Sequence, residues 1–131
     1  MRRFVTDGDG LPKWSSPISH AVVVDSMCYL SGQLSIDESG AYVPGTTTEE
    51  ARRAFGNLFA VLRAAEFSVS DLAFVDIAFV DLAEAPEVNQ LFAELFAAGV
   101  RPARTIYQAA ALPFGGRIKV AGVAIKERVD R

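Results

Sequence analysis

The residues most able to do chemistry in this chain are few and lie at the ends of β-favouring runs. Residues 100–113, VRPARTIYQAAALP, place Arg104 at the start of an otherwise nearly uncharged strand pattern. A permanent cation there has two uses: an ion pair with a carboxylate on a neighbouring strand, or capture of an anion from outside. The planar guanidinium is the side chain best shaped to grip a carboxylate with two parallel hydrogen bonds. Ser31-Gly32-Gln33 closes another such run with a hydroxyl, a position free of side chain where backbone can approach a ligand, and an amide. The same triplet also reads as an ordinary strand-to-loop turn. His20 reads as a packed or surface strand histidine rather than an acid or base. Cys28, between Met27 and Tyr29, reads as an unreactive core thiol. Arg52-Arg53 and Lys126-Glu127-Arg128 read as solvated charge.

Several chemistries find no residues to perform them. One histidine, and no G-x-S-x-G elbow, leave serine hydrolysis unsupported. A single histidine and a single cysteine do not make a metal ligand set, and neither a P-loop nor a dinucleotide fingerprint is present, so no metal or cofactor is expected. Thirteen Lys/Arg against sixteen Asp/Glu, with a net charge of −3 and no basic run, argue against capture of nucleic-acid phosphate. A lone cysteine suits a reducing compartment, and no signal peptide or bilayer-spanning apolar run is evident; a cytoplasmic protein without membrane contact is expected.

The elements that must position these residues follow from periodicity. The chain, 131 residues and 50% hydrophobic, suits one domain spanning 1–131. Ala21 to Asp25 and Met27 to Gln33 predict an antiparallel hairpin turning at Asp25-Ser26. Residues 34–46 read as a loop, ended by a capping box in Thr47-Thr48-Glu49-Glu50. Ala51, Ala54, Phe55, Leu58, Leu62 and Ala65 then form one apolar helical stripe. Leu72 to Leu82 predicts a central strand with Val75, Ile77 and Phe79 on one face and Phe74, Asp76, Ala78 and Val80 on the other. Pro86 opens and Gly99 ends a second helix built on Val88, Leu91, Phe92, Leu95 and Phe96. Ala103 to Ala111 and Arg117 to Glu127 are the last strands, joined through Pro113-Phe114-Gly115-Gly116. Arg3 to Thr6 is a candidate leading strand. By alternation Arg104, Ile106 and Gln108 share one face and Tyr107 takes the other, while Arg117, Lys119 and Ala121 share a face. Two helices can cover one face of the sheet but not both. The apolar residues left on the other face predict self-association through it, as a closed ring or dimer.

Taken together, Ser19-His20-Ala21-Val22, Leu30-Ser31-Gly32-Gln33, Asn57-Leu58, Val88-Asn89 with Phe92-Ala93-Glu94-Leu95-Phe96, and above all Pro102-Ala103-Arg104-Thr105 followed by Leu112-Pro113 give the chain a resemblance to a known family. It resembles, over nearly its full length, the RidA/YjgF imine and enamine deaminases, formerly called endoribonuclease L-PSP. The resemblance implies a chorismate-mutase-like α+β fold, a mixed sheet with two helices on one face, assembled as a homotrimer with clefts between subunits. It implies that Arg104 holds the carboxylate of a small 2-imino acid or enamine, that Gly32, Ser31 and Asn89 line the cleft, and that water converts the imine to a 2-keto acid and ammonia without metal or cofactor.

Three positions depart from the family pattern. Ile18 stands where active members carry a tyrosine, and Ile106 where a cysteine often follows the arginine by two. Ala121 stands where a glutamate is thought to orient or activate the attacking water. Loss of general acid or base assistance costs typically ~10²- to 10⁴-fold. Two readings therefore stay open: a divergent imine deaminase, and a non-catalytic trimer that binds a small carboxylate or keto acid. A nuclease is disfavoured by the acidic balance and the absence of a base-stacking aromatic groove. Lys119 is expected to make the mouth of the cleft more cationic than in the typical member, favouring a larger or more highly charged anion.

Overall fold

A computed structural model describes residues 1–127; Arg128, and with it the end of the anticipated 1–131 domain, lies outside the described residues. Six strands form one sheet: β1 (Arg2–Val5), β2 (Ala21–Val24), β3 (Met27–Gln33), β4 (Leu72–Phe79), β5 (Ala103–Gln108) and β6 (Ile118–Ile125). Their spatial order is β1-β2-β3-β6-β4-β5, with β5 parallel to β4 and every other pairing antiparallel. Two helices, α1 (Thr47–Ala64) and α2 (Ala85–Leu95), complete an α+β architecture.

Both helices bury their stripes against one face of the sheet. Ala51, Ala54, Phe55, Leu58, Leu62 and Ala65 of the α1 segment, and Val88, Leu91 and Phe92 of α2, join Val75, Ile77, Phe79, Ile118 and Val120 in one core. An aromatic cluster ties the helices together: Phe55 lies 6.0 Å from both Phe92 and Phe96, edge-on, and Phe92 lies 4.6 Å from Phe96. Such pairs add roughly 0.5–1.5 kcal/mol beyond the area they bury. The opposite face carries Phe4, Val22, Tyr29 and Val123 in consecutive cross-strand register, with Phe74, Ala121, Lys119 and Asp76 beyond them. Phe4 remains 60% and Tyr29 49% exposed there.

The hairpin forms as expected, with Asp25 at φ 54°, the left-handed conformation that a two-residue hairpin loop asks of a central residue. Other boundaries move. The capping box is Thr46 with Glu49, one residue earlier than anticipated; Thr47 instead donates to Glu84 at 2.6 Å and Glu50 turns into the interior. β4 ends at Phe79 because Val80 bonds to the carbonyl of Arg117 and Asp81 then caps a 3₁₀ turn at Leu82–Glu84. β5 ends at Gln108, opposite Phe79, the last residue of β4, its one strand partner among the described residues; Ala109 adds a final backbone bond to the Phe79 carbonyl at 2.7 Å. β4 is an interior strand, flanked by β6 and β5, while β3 and β6 occupy the middle of the sheet, with β6 inserted between β3 and β4.

Arg52 and Lys126 are solvent-exposed charges, as expected, and each has a neighbour. Arg52 pairs with Glu94 across the two helices at 3.4 Å, and the Lys126 ammonium lies 4.5 Å from the centre of the Phe67 ring.

Candidate functional site

The site residues anticipated from the sequence form two groups. The first is built on a β-bulge. Between β3 and β6 the register passes from Leu30↔Gly122 to Gln33↔Val120, so Ser31 and Gly32 together oppose Ala121. Bulges of this kind recur beside active sites because they re-aim side chains. Ser31 spends its hydroxyl locally, donating to the Ser19 carbonyl at 2.6 Å. The lysine stem lies directly over Gly32: a Cβ there would sit 2.8 Å from Lys119 Cδ and would push that flexible side chain aside. Ile18, 52% exposed, joins Gly32 and Lys119 around a cavity of about 280 Å³ whose far wall is Trp14, Pro113 and Phe114. Across Ala121 on its other side, in register on β4, is Asp76, whose carboxylate accepts from the Thr105 hydroxyl.

The second group surrounds Arg104. Its strand register pairs it with Val75, which puts it on the helix-covered face, and one guanidinium N–H donates to Asn89 Oδ1 on α2 at 2.7 Å. The guanidinium carbon also stands 4.9 Å from the centre of the Phe92 ring. Phe92 and Asn89 fix its direction without neutralising it: among the described residues no carboxylate lies within 4.0 Å, and the internal ion pair considered for Arg104 does not form. Asp76 on the adjacent strand points to the other face. Ile106, 37% exposed, follows Arg104 along the same edge. Gln108 is used locally: its Oε1 accepts the backbone N–H of Leu82 at 2.9 Å.

Within one chain the two groups do not meet, because Arg104 and Ala121 project from opposite faces of the sheet. Lys119 and Ala121 share a face as expected, but Arg117 lies just before β6 and turns its Nε to within 3.9 Å of Glu50.

His20 and Cys28 take the packed roles expected of them. His20 is buried, with Nε2 2.8 Å from the Pro12 carbonyl and Nδ1 3.1 Å from the Gln33 amide nitrogen. The carbonyl can only accept, so the proton is assigned to Nε2 and the amide donates to Nδ1. Burial pushes the Cys28 thiol up to about 11. Thiol-reactive chromogenic disulfide at pH 8 should label it at least about 100-fold more slowly in the native protein than in denaturant, since the thiolate is the nucleophile.

One polar cluster had no signal in the sequence. Glu50 is fully buried on α1 and accepts from the Tyr42 hydroxyl at 2.5 Å, the Arg117 N–H at 3.0 Å and the Gly45 N–H at 3.3 Å. It pins the 34–46 loop and the start of β6 to one helix, and so holds two walls of the 280 Å³ cavity in place. A glutamate in a capping sequence gives no hint that it faces inward.

Comparison with known proteins supports the family reading. The Endoribonuclease L-PSP family profile matches residues 11–126. The chain belongs to the RidA/YjgF family. The 2-iminobutanoate/2-iminopropanoate deaminase of Homo sapiens is 38% identical over 127 residues, covering 96% of this chain and 91% of the relative. That of Capra hircus is 35% identical over 127 residues, with the same coverage of both chains. Among solved structures, a candidate endoribonuclease from Thermotoga maritima superposes with a TM-score of 0.91 at 38% identity, covering 98% of this chain and 100% of its own. RidA from an Antarctic Psychrobacter gives 0.87 at 30% identity, covering 95% and 100%. The RidA-type fold is thus shared along almost the entire chain, including both residue groups. No helix among the described residues is long and apolar enough to cross a membrane.

Proposed function

We propose that this RidA-family protein binds a small 2-imino or 2-oxo acid in a cleft between two copies of the chain and hydrolyses the imine to a 2-keto acid and ammonia. The observation that carries the reading is Arg104, aimed by Asn89 and Phe92 but with no carboxylate partner among the described residues. A guanidinium already held in direction and free of a counter-charge can meet a ligand carboxylate with two parallel charge-assisted hydrogen bonds. Because Arg104 and the Ser31-Gly32-Ala121 bulge lie on opposite faces, a cleft containing both needs a second copy. The row of Phe4, Val22, Tyr29 and Val123 on the uncovered face supports self-association. We read that assembly as a ring of three, the form the family resemblance implies.

In the reaction, water adds to the C=N carbon and one of its protons passes to nitrogen, giving a carbinolamine; the second proton then passes from its hydroxyl to nitrogen as the C–N bond breaks, the C=O forms and ammonia leaves. Ala121 offers no group to move the proton. Asp76 does: it stands directly across from Ala121 in register, where facing Cβ atoms are about 5 Å apart, and is oriented by Thr105. We assign it the role of base. The named deaminase relatives support imines of short 2-oxo acids as substrates.

The experiment generates 2-iminopropionate in situ with an amino-acid oxidase and follows ketone formation. Wild type is expected to accelerate it, and Asp76→Asn to slow the accelerated rate by about 10²- to 10⁴-fold, the usual contribution of a general base, with keto-acid binding retained. Ala121 favours one other reading, a binder without turnover. No acceleration by wild type, together with Arg104-dependent keto-acid binding, would establish that alternative.

A further inference from the structure

Beside the Gly32 bulge, a cationic pocket remains that the reading above leaves unused. The 280 Å³ cavity is lined by Lys13, Ser15, Ser16 and Lys119 as its charged and hydroxyl side chains, and among the described residues no Asp or Glu reaches its wall. Neither lysine has a carboxylate within 4.0 Å among the described residues. Lys119 is half-buried, its stem held down over Gly32, so its ammonium is committed to this side of the sheet. Phe114 closes the mouth in an unusual way. It sits at φ 64°, a conformation that costs a non-glycine residue on the order of 1 kcal/mol, yet its ring is left 58% exposed. Strain of this sort persists where the surrounding structure holds it, and it clusters at ligand clamps. Arg104 does not line this cavity.

We infer that the pocket receives a second anionic group of the ligand, so that the preferred ligands are dicarboxylic 2-oxo or 2-imino acids: one carboxylate on Arg104, the other on Lys119 with Lys13. The inference rests on the proposal that Arg104 anchors the first carboxylate in a cleft shared by two copies. The hydroxyls of Ser15 and Ser16 supply further donors, and Ile18 and Phe114 flank the carbon chain between the two ends. The two ammonium groups lining one pocket would repel each other less once a carboxylate sits between them.

Calorimetric titration of the assembled protein with 2-oxoglutarate and with 2-oxobutanoate tests this. Wild type is expected to bind 2-oxoglutarate about tenfold more tightly, the value of a charge-assisted hydrogen bond at a partly exposed site, with the preference shrinking as salt is raised. Lys119→Met keeps the stem over Gly32 and removes only the charge; it should abolish the preference while leaving 2-oxobutanoate affinity unchanged. Equal binding of the two acids by wild type, or an equal loss of both in Lys119→Met at unchanged thermal stability, would overturn the dicarboxylate assignment and leave the anchor standing. Arg104→Ala separates the two ideas. If that variant still bound 2-oxobutanoate like wild type, the anchor itself would fall and the dicarboxylate assignment with it; absence of binding of either acid to wild type would remove both.

Discussion

Arg104→Ala should weaken binding of 2-oxobutanoate about 100-fold, roughly 2.7 kcal/mol, while changing stability by less than about 1.5 kcal/mol. The two effects separate because the guanidinium is poorly used inside its own chain. It makes one side-chain hydrogen bond, to Asn89, and one ring contact, to Phe92, worth about 0.5–1 kcal/mol at an exposed site. Its other N–H groups have no side-chain or backbone acceptor among the described residues. Arg104→Lys should recover little of the affinity, since a point charge cannot reproduce two parallel hydrogen bonds and is not held flat by Phe92. Calorimetry for affinity and thermal denaturation for stability check both halves. A variant that lost several kcal/mol of stability with binding intact would mark Arg104 as a structural residue.

Glu50→Ala should be the most destabilising single change outside the apolar core, by about 2–4 kcal/mol, lowering Tm by roughly 10 °C. The carboxylate is the common acceptor for the Tyr42 hydroxyl and the backbone N–H groups of Arg117 and Gly45. Removing it strands buried donors as well as leaving a void. Tyr42→Phe removes one donor and leaves the others satisfied, so its cost should be near 1 kcal/mol. Tyr42 also gives the cluster an alkaline limit. Burial first, then its hydrogen bond to Glu50 and that group's charge, hold the Tyr42 hydroxyl up to about 12 against an ordinary 10.0. Above pH 10 the unfolded chain therefore ionises before the folded one. The stabilisation is complete below 10 and is lost as pH rises through about 12. Denaturant midpoints measured between pH 9 and 12 should fall more steeply for wild type than for Tyr42→Phe.

Much of the architecture was legible in local pattern. The stripe Ala51, Ala54, Phe55, Leu58, Leu62 could belong only to a helix with one buried face, and Val75, Ile77, Phe79 only to a strand face beneath it. Arg104 stood out because, Arg101 aside, nothing charged lies near it in the chain. Boundaries were less secure: Thr46 rather than Thr47 caps α1, since either threonine has a glutamate three residues on and only the backbone path of the preceding loop selects between them. The role of Glu50 was invisible because its partners, Tyr42 and Arg117, lie 8 and 67 residues away.

Sequence alone determined which residues alternate and which face of each element is apolar, because these depend on periods of two and 3.6 residues. Only the tertiary structure decided that β6 enters between β3 and β4, that the extra residue of β3 gathers Ser31 and Gly32 opposite Ala121, and that Asp76 flanks the same position. It also decided that Arg104 faces away from all of them. Strand order and register are selected by burial of the whole apolar face and by a connection crossing β4, contacts between residues far apart in the chain, and no local spacing encodes them.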